Sequence, residues 1–299
     1  MFAYNPSRIR QAEVAQLIIL QSLFSARESR EVIFQGGTAI RWFYGGARFS
    51  EDLDFVTSLP RENVVALMES VSPAIRRHLV ANFGGGSFSL KEKRYHPSSY
   101  KAFVDFLPAA GRSKISVKIE SEKLAPGTGP DRDRKIMQSS PTVSYFLQEG
   151  GYKAPGAPVV INIETAEEIL SDKLRALVER PYTKGRDFFD LWFLMETLRA
   201  VPNARLLKRK LDMYEIPFTV STPVSFYTHL ESIGGQTKEA LLRDIHNDLA
   251  RFLPVEATEA LEHNGYRDLL AAVQSAFRKI EEEGIVDFNK YPVRERVQT

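Results

Sequence analysis

A glycine pair, one helical stretch, then two aspartates separated by a single leucine: this order, in GGTAIRWFYGGARFSEDLDF (36–55), constrains the chain more than any other feature. The preceding EVIFQ (31–35) reads as a short strand that ends at Gly36-Gly37. Residues 38–44 read as a helix and LDFV (53–56) as a second strand. Side chains alternate along a strand, so Asp52 and Asp54 share one face, Leu53 and Phe55 the other. Two strand rises put the aspartate Cα atoms roughly 6.5 Å apart. Carboxylates that close repel, and one pKa rises unless a cation compensates them. One or two magnesium ions, or manganese, would do so, because hard divalent cations take carboxylate oxygens and keep phosphate or water in their other positions. SEDLD alone is the composition of a solvated turn. The glycines shift the weighing, since they let backbone approach a ligand closely and the N–H groups opening the next helix form an anion site. Gly36, Gly37 and Thr38 are therefore candidates for holding phosphate, with Thr38 either capping the helix or reaching the phosphate itself.

Composition narrows the chemistry. The 299 residues, 43% hydrophobic, suffice for one large domain or two ordinary ones with a real core. Cysteine is absent, which excludes disulfides, thiolate catalysis and cysteine-bound zinc. His78, His96, His229, His246 and His263 are scattered without metal-like spacing. A net charge of +2 permits an acidic partner where basic residues cluster. MFAYNPSRIRQAEV has no apolar core of a signal peptide, and no uncharged apolar run reaches the ~18 residues a membrane helix needs. The expectation is a cytoplasmic protein that does not span a membrane.

Along the chain, Asn5-Pro6 signals a helix start, and Pro60 opens another helical run to about Val80. SFSLKEKRY (87–95), YKAFVDFL (100–107), KISVKIE (114–120) and VVINI (159–163) read as strands. APGTGPDRDRK (125–135) and GGYKAPGAP (150–158) read as loops. After Ile163 the pattern is helix upon helix. The expected fold is α/β (α+β): a mixed sheet flanked by helices over 1–163, then a helical C-terminal domain over 164–299.

Two further groups stand out. KISVKIE puts Ile115, Val117 and Ile119 on one face and Lys114, Ser116, Lys118 and Glu120 on the other. Glu120 is the candidate third acid, Asp105 in FVDFL the alternative, and a solvated polar face explains the same pattern. In ETAEEILSDKLRALVER, Thr165 and Glu168 form a capping-box pattern. Lys173 falls inside the stripe of Ile169, Leu170, Leu174, Leu177 and Val178. A lysine there either snorkels outward or meets an acid. Asp187 and Asp190 in KGRDFFDLWFL are the available acids. Either the pair is a buried strut between helices, or Lys173 faces a triphosphate and Asp190 orients it. RLLKRK (205–210), with Arg132, Arg134 and Lys135, is the basic material from which an RNA backbone could be held.

Taken together, these segments resemble the AbiEii/AbiGii toxin family of nucleotidyltransferases, in the DNA-polymerase-β-like superfamily. The superfamily pattern of glycine plus Gly, Ser or Thr, then acid–hydrophobic–acid–hydrophobic, corresponds to Gly37-Thr38 and Asp52-Leu53-Asp54-Phe55. VKIES, EEILSDKLRALVER and GRDFFDLWFL resemble the later motifs, in order. The resemblance implies transfer of NMP from NTP with Mg2+ or Mn2+. It implies an acceptor such as a tRNA 3′ end and a cognate antitoxin. By the same resemblance Asp52, Asp54 and Glu120 bind metal. Gly36, Gly37, Thr38, Lys173, Arg186 and Asp187 hold nucleotide, and Lys173 and Asp190 form an essential pair. Transfer to a small molecule, or nucleotide binding without catalysis, are the alternatives.

Overall fold

The computed structural model describes residues 4–93, 95–111, 113–153 and 156–294. Expectations touching Met1 to Ala3, Arg94, Ala154 and Pro155 lie outside the described residues. The chain divides into two compact units, Asn5–Glu164 and, for its greater part, the chain from Thr165 onward.

The first unit is built on a seven-stranded mixed sheet. Its strands are β1 (Val32–Gln35), β2 (Asp52–Thr57), β3 (Gly86–Glu92), β4 (Ser99–Pro108), β5 (Ile115–Lys123), β6 (Arg132–Ile136) and β7 (Val160–Glu164). The order is β3-β4-β5-β2-β1-β7-β6. β2 runs antiparallel to β1 and parallel to β5. The helices are α1 (Pro6–Phe24), α2 (Gly36–Phe43), α3 (Arg61–Phe83) and α4 (Pro141–Gln148). Asn5 caps α1 by accepting from the Arg8 N–H at 3.1 Å, and Pro6 occupies the first turn, where its missing N–H costs nothing.

Alternation in the sequence becomes two faces. Leu53, Phe55, Ala102, Val104, Phe106, Ile115, Val117 and Ile119 are buried, and α1 and α3 pack against this part of the sheet. Phe55 anchors the core, its ring centroid 5.3 Å from Phe34 and 6.3 Å from Phe24. Asp52, Asp54, Lys118, Glu120, Lys101 and Asp105 take the alternate positions and are only partly buried. One expectation is corrected: the end of the expected loop 125–135 belongs to the edge strand β6, Arg132–Ile136. Its polar residues carried no strand signature; pairing with β7, from Arg132↔Glu164 to Ile136↔Val160, makes it one.

The second unit is helical: α5 (Ala166–Glu179), α6 (Gly185–Trp192), α7 (Ala204–Leu211), α8 (Val224–Thr228), α9 (Gly235–Leu249), α10 (Val255–His263) and α11 (Arg267–Glu283). α6 passes into a π-helical turn, Phe193–Thr197, so the apolar run is not one straight helix. α6 packs on α5, α9 and α11. Gly185 permits the α9 contact, since a Cβ there would lie 2.5 Å from the Ile245 carbonyl oxygen. Among the described residues, no helix is long and apolar enough to cross a membrane.

Candidate active site

The carboxylate face follows from strand register. Asp52 pairs with Lys118 and Asp54 with Glu120 across the parallel β2–β5 ladder, and Lys101 on β4 lies opposite Glu120. Side chains at paired positions project to the same face, so Asp52, Asp54 and Glu120 come together. Asp105 does not join them. It lies opposite Ser116, four residues down β5 from Glu120, where its carboxylate accepts from Ser116 Oγ at 2.6 Å and Lys114 Nζ at 3.0 Å.

Lys118 stands between two of the acids. Its Nζ is 2.7 Å from Asp52 Oδ2 and 2.7 Å from Glu120 Oε2, and Lys101 reaches the other Glu120 oxygen. Burial alone would lower the Lys118 pKa; Asp52 and Glu120 outweigh it and hold the ammonium above its ordinary range. Burial would likewise raise Glu120, but Lys101 and Lys118 keep it below the usual carboxylate range. Among the described residues no three His, Asp or Glu side chains are gathered into a metal cage. The donors still fit a hard divalent cation: they are all carboxylate oxygens, and an ammonium already sits where two of them draw positive charge. Lys118 lies two residues before Glu120, so strand alternation alone places it on the face of the acids. Lys118→Met is expected to lower the melting temperature in chelator and to enlarge the rise produced by magnesium, because the acids then have no internal counter-charge. Equal magnesium-induced shifts in wild type and variant, read by thermal melts, would count against a cation site here.

The glycine turn is shaped around the same acids. Gly36 adopts φ +79°, and a Cβ there would fall 2.8 Å from Asp54 Oδ2. Only glycine combines that backbone with that contact. α2 starts at Gly36 and its N-cap is Gln35, so Thr38 does not cap it. Instead the Thr38 hydroxyl, 0% exposed, donates to the Asp52 backbone carbonyl and ties the helix to the strand. The first N–H groups of α2 have no intrahelical acceptor. Over Gly37 lies the buried Arg48 guanidinium, which a Cβ there would strike at Nη2. The close approach expected of a ligand is thus made by an arginine, which adds positive charge to the helix N-terminus. α1 holds both the loop entering β2 and the helix α2: Gln16 Nε2 donates to the Ser50 carbonyl at 2.6 Å, and Glu13 holds Arg41 of α2 at 2.8 Å. The expectations had not included Gln16, Arg41 and Arg48, whose partners are remote in sequence.

The helical unit carries its own ionic cluster. Thr165 caps α5 as expected, accepting from the Glu168 N–H at 3.3 Å. Glu168 is fully buried and serves Arg209 and Lys210, with Lys210 Nζ 3.0 Å away. Lys173 Nζ lies 2.9 Å from Asp187 Oδ1 and 2.7 Å from Asp190 Oδ2, so it bridges both acids. Arg180 also pairs with Asp187. Arg186 turns to Asp248 at 3.3 Å, and its guanidinium lies 4.0 Å over the Phe252 ring.

Positive charge is crowded here. Burial, then Arg180, push the Lys184 pKa down to about 8. Unfolded lysine titrates near ~10.4, so the unfolded chain binds the extra proton between these values and stability rises with pH across that window. Lys184→Gln is expected to raise the melting temperature at pH 7, with the gain shrinking from about pH 8 toward 10. Equal melting temperatures at pH 7 would refute the crowding.

In the basic run 205–210, Arg205, Lys208 and Arg209 are exposed and Lys210 is buried. Lys210 is 0% exposed and also binds Asp172 at 2.6 Å, Arg209 pairs with Glu168, and Lys208 pairs with Asp212 at 2.9 Å. Lys210 follows Leu207 by three residues, so the helical period carries it inward.

The profile of the family described as "Nucleotidyl transferase AbiEii toxin, Type IV TA system" matches residues 18–290. The comparison with curated proteins gives no match. Among solved structures, JHP933 from Helicobacter pylori is similar at 20% identity and TM-score 0.55, covering 94% of this chain and 97% of that one. A second H. pylori structure, described as a candidate nucleotidyltransferase, matches at 20% identity and TM-score 0.53, covering 93% and 98%. At this identity the likeness is one of fold.

Proposed function

Because the chain belongs to the AbiEii nucleotidyl transferase toxin family, we propose that it transfers NMP from an NTP to an RNA hydroxyl, the tRNA 3′ end being the acceptor class, and that a cognate antitoxin restrains it. The observation that carries this reading is the convergence of Asp52, Asp54 and Glu120 on one sheet face beside the N-terminus of α2. The acceptor hydroxyl attacks the α-phosphate in line, its proton passing to a carboxylate of the Asp52, Asp54 and Glu120 face; the new O–P bond forms as the bond to pyrophosphate breaks. Asp52, Asp54 and Glu120 would hold magnesium or manganese, which when bound supplies neutralisation of phosphate charge and a more acidic acceptor hydroxyl. Gly36, Gly37 and Thr38 offer backbone N–H groups to phosphate oxygens, and Arg48 reinforces them. Lys118, which sits between Asp52 and Glu120, would be available to a phosphate oxygen with a cation on those acids. In the helical unit, the depressed Lys184 pKa and the packing of Lys173, Arg180 and Lys184 around Asp187 support a site that favours an anion. Lys173 is assigned there as a nucleotide contact, with Asp187 and Asp190 orienting it and Arg186 fixing the helix that bears them.

Incubation with each labelled NTP, magnesium and total RNA, resolved on a gel, tests the proposal. A labelled band in the tRNA size range is expected. Label on no RNA, with label on a small molecule instead, would replace the RNA acceptor.

A further inference from the structure

At the Val32 end of β1 the sheet unit opens into a cleft of about 810 Å³. The catalytic face lies at the other end, where Gln35 pairs with Asp54, so about 10 Å of strand separates the two. Arg27 and Arg30 before β1, Arg77 and His78 on α3, and Arg134 on β6 line the cleft. No Asp or Glu is among the described residues that line it. None of the four guanidiniums has an ion pair among the described residues, although this chain pairs cations freely elsewhere. Burial and then Arg77 lower the His78 pKa, as a neighbourhood already rich in positive charge requires. A hollow of about 440 Å³ alongside shares Arg77 and adds Arg76, so the positive track continues along α3.

We propose that this arginine-lined cleft binds the phosphodiester backbone of the acceptor RNA, away from the reacting end. The inference rests on the RNA-acceptor reading above and gives it a location. Guanidinium forks match phosphate oxygens two at a time, and an extended track suits a chain whose charge repeats. On α7, Lys208, Arg209 and Lys210 are engaged with acids, which leaves Arg205 alone there, whereas four arginines line the cleft. Contacts of this kind position RNA without reading its sequence.

The test uses full-length protein carrying Asp52→Asn, so that binding is read without turnover. A fluorescein-labelled 12-nucleotide RNA of mixed sequence is titrated at several salt concentrations by anisotropy. Arg27→Ala/Arg30→Ala, Arg77→Ala/Arg134→Ala and the quadruple variant are compared, with melts as the fold control. All four side chains are exposed, and each double variant carries the test by itself. The slope of log Kd against log salt is expected to fall by about 0.7 for each arginine that meets a phosphate. An unchanged slope overturns the proposal. So does polyglutamate binding as tightly as RNA with the same dependence on these arginines, which would make the cleft a site for an acidic protein. Label transfer by the protein with both Asp52 and the four arginines intact separates the two ideas. Transfer with an unchanged slope refutes the cleft alone; a reduced slope without transfer to any RNA refutes the acceptor reading alone.

Discussion

Asp52→Asn and Asp54→Asn should each lower nucleotidyl transfer by at least about 100-fold, the scale of losing one preorganised group that stabilises transition-state charge. Both proteins should melt close to wild type. Asparagine keeps the shape, and the bond from Thr38 goes to the Asp52 backbone carbonyl, so the strand stays tied to α2 without the carboxylate. Lys118 retains Glu120 when Asp52 is neutralised. Asp105→Asn is the internal control: its partners are Ser116 and Lys114, so transfer should be nearly unchanged. Steady-state transfer with magnesium, alongside melts, measures all three. Near-wild-type transfer by either Asp52→Asn or Asp54→Asn would remove these acids from the chemistry, and a large loss in Asp105→Asn would move the third acid.

Lys173→Met is expected to cost about 3–5 kcal/mol of stability in the helical unit, the usual result of stripping one partner from a buried ion pair. Asp187 and Asp190 are 2% and 1% exposed, and the lysine bridges both. Acid unfolding gives a second readout. Burial would raise the Asp187 pKa, but Arg180 and then Lys173 outweigh it and hold the carboxyl well below its ordinary range. A depressed carboxylate contributes stability that is complete above the unfolded value of about 3.9 and is lost as pH falls through the folded one. Removing Lys173 weakens the depression, so the acid midpoint should move upward. Adding Asp190→Leu should recover part of the stability, because no unpaired acid then remains at that position. Transfer decides the role: recovered stability with absent transfer supports a nucleotide contact, whereas joint recovery makes the cluster a strut.

The local pattern of the sequence carried much of the fold. Alternation in Asp52-Leu53-Asp54-Phe55 and in Ile115 to Glu120 assigned buried and open faces, because strand side chains alternate whatever the neighbours. Asn5-Pro6 and Thr165 marked helix starts, because caps act within a single turn. Arg132–Ile136 was illegible as a strand for the converse reason: its strand character comes from pairing with β7, not from its own residues.

By itself, then, the sequence determined the strand–turn–helix–strand unit with its two aspartates on one face, the mixed sheet followed by helices, and the family. Tertiary structure decided which partners those groups meet. Inter-strand register put Glu120, not Asp105, beside Asp54 and set Lys118 between acids. The packing of α7 took Lys210 inside to Asp172 and Glu168. Arg27, Arg30, Arg77 and Arg134 come from three separate elements and meet only in the folded sheet unit. Side-chain periodicity is a property of consecutive residues, but register and convergence depend on contacts between distant ones, which no local pattern records.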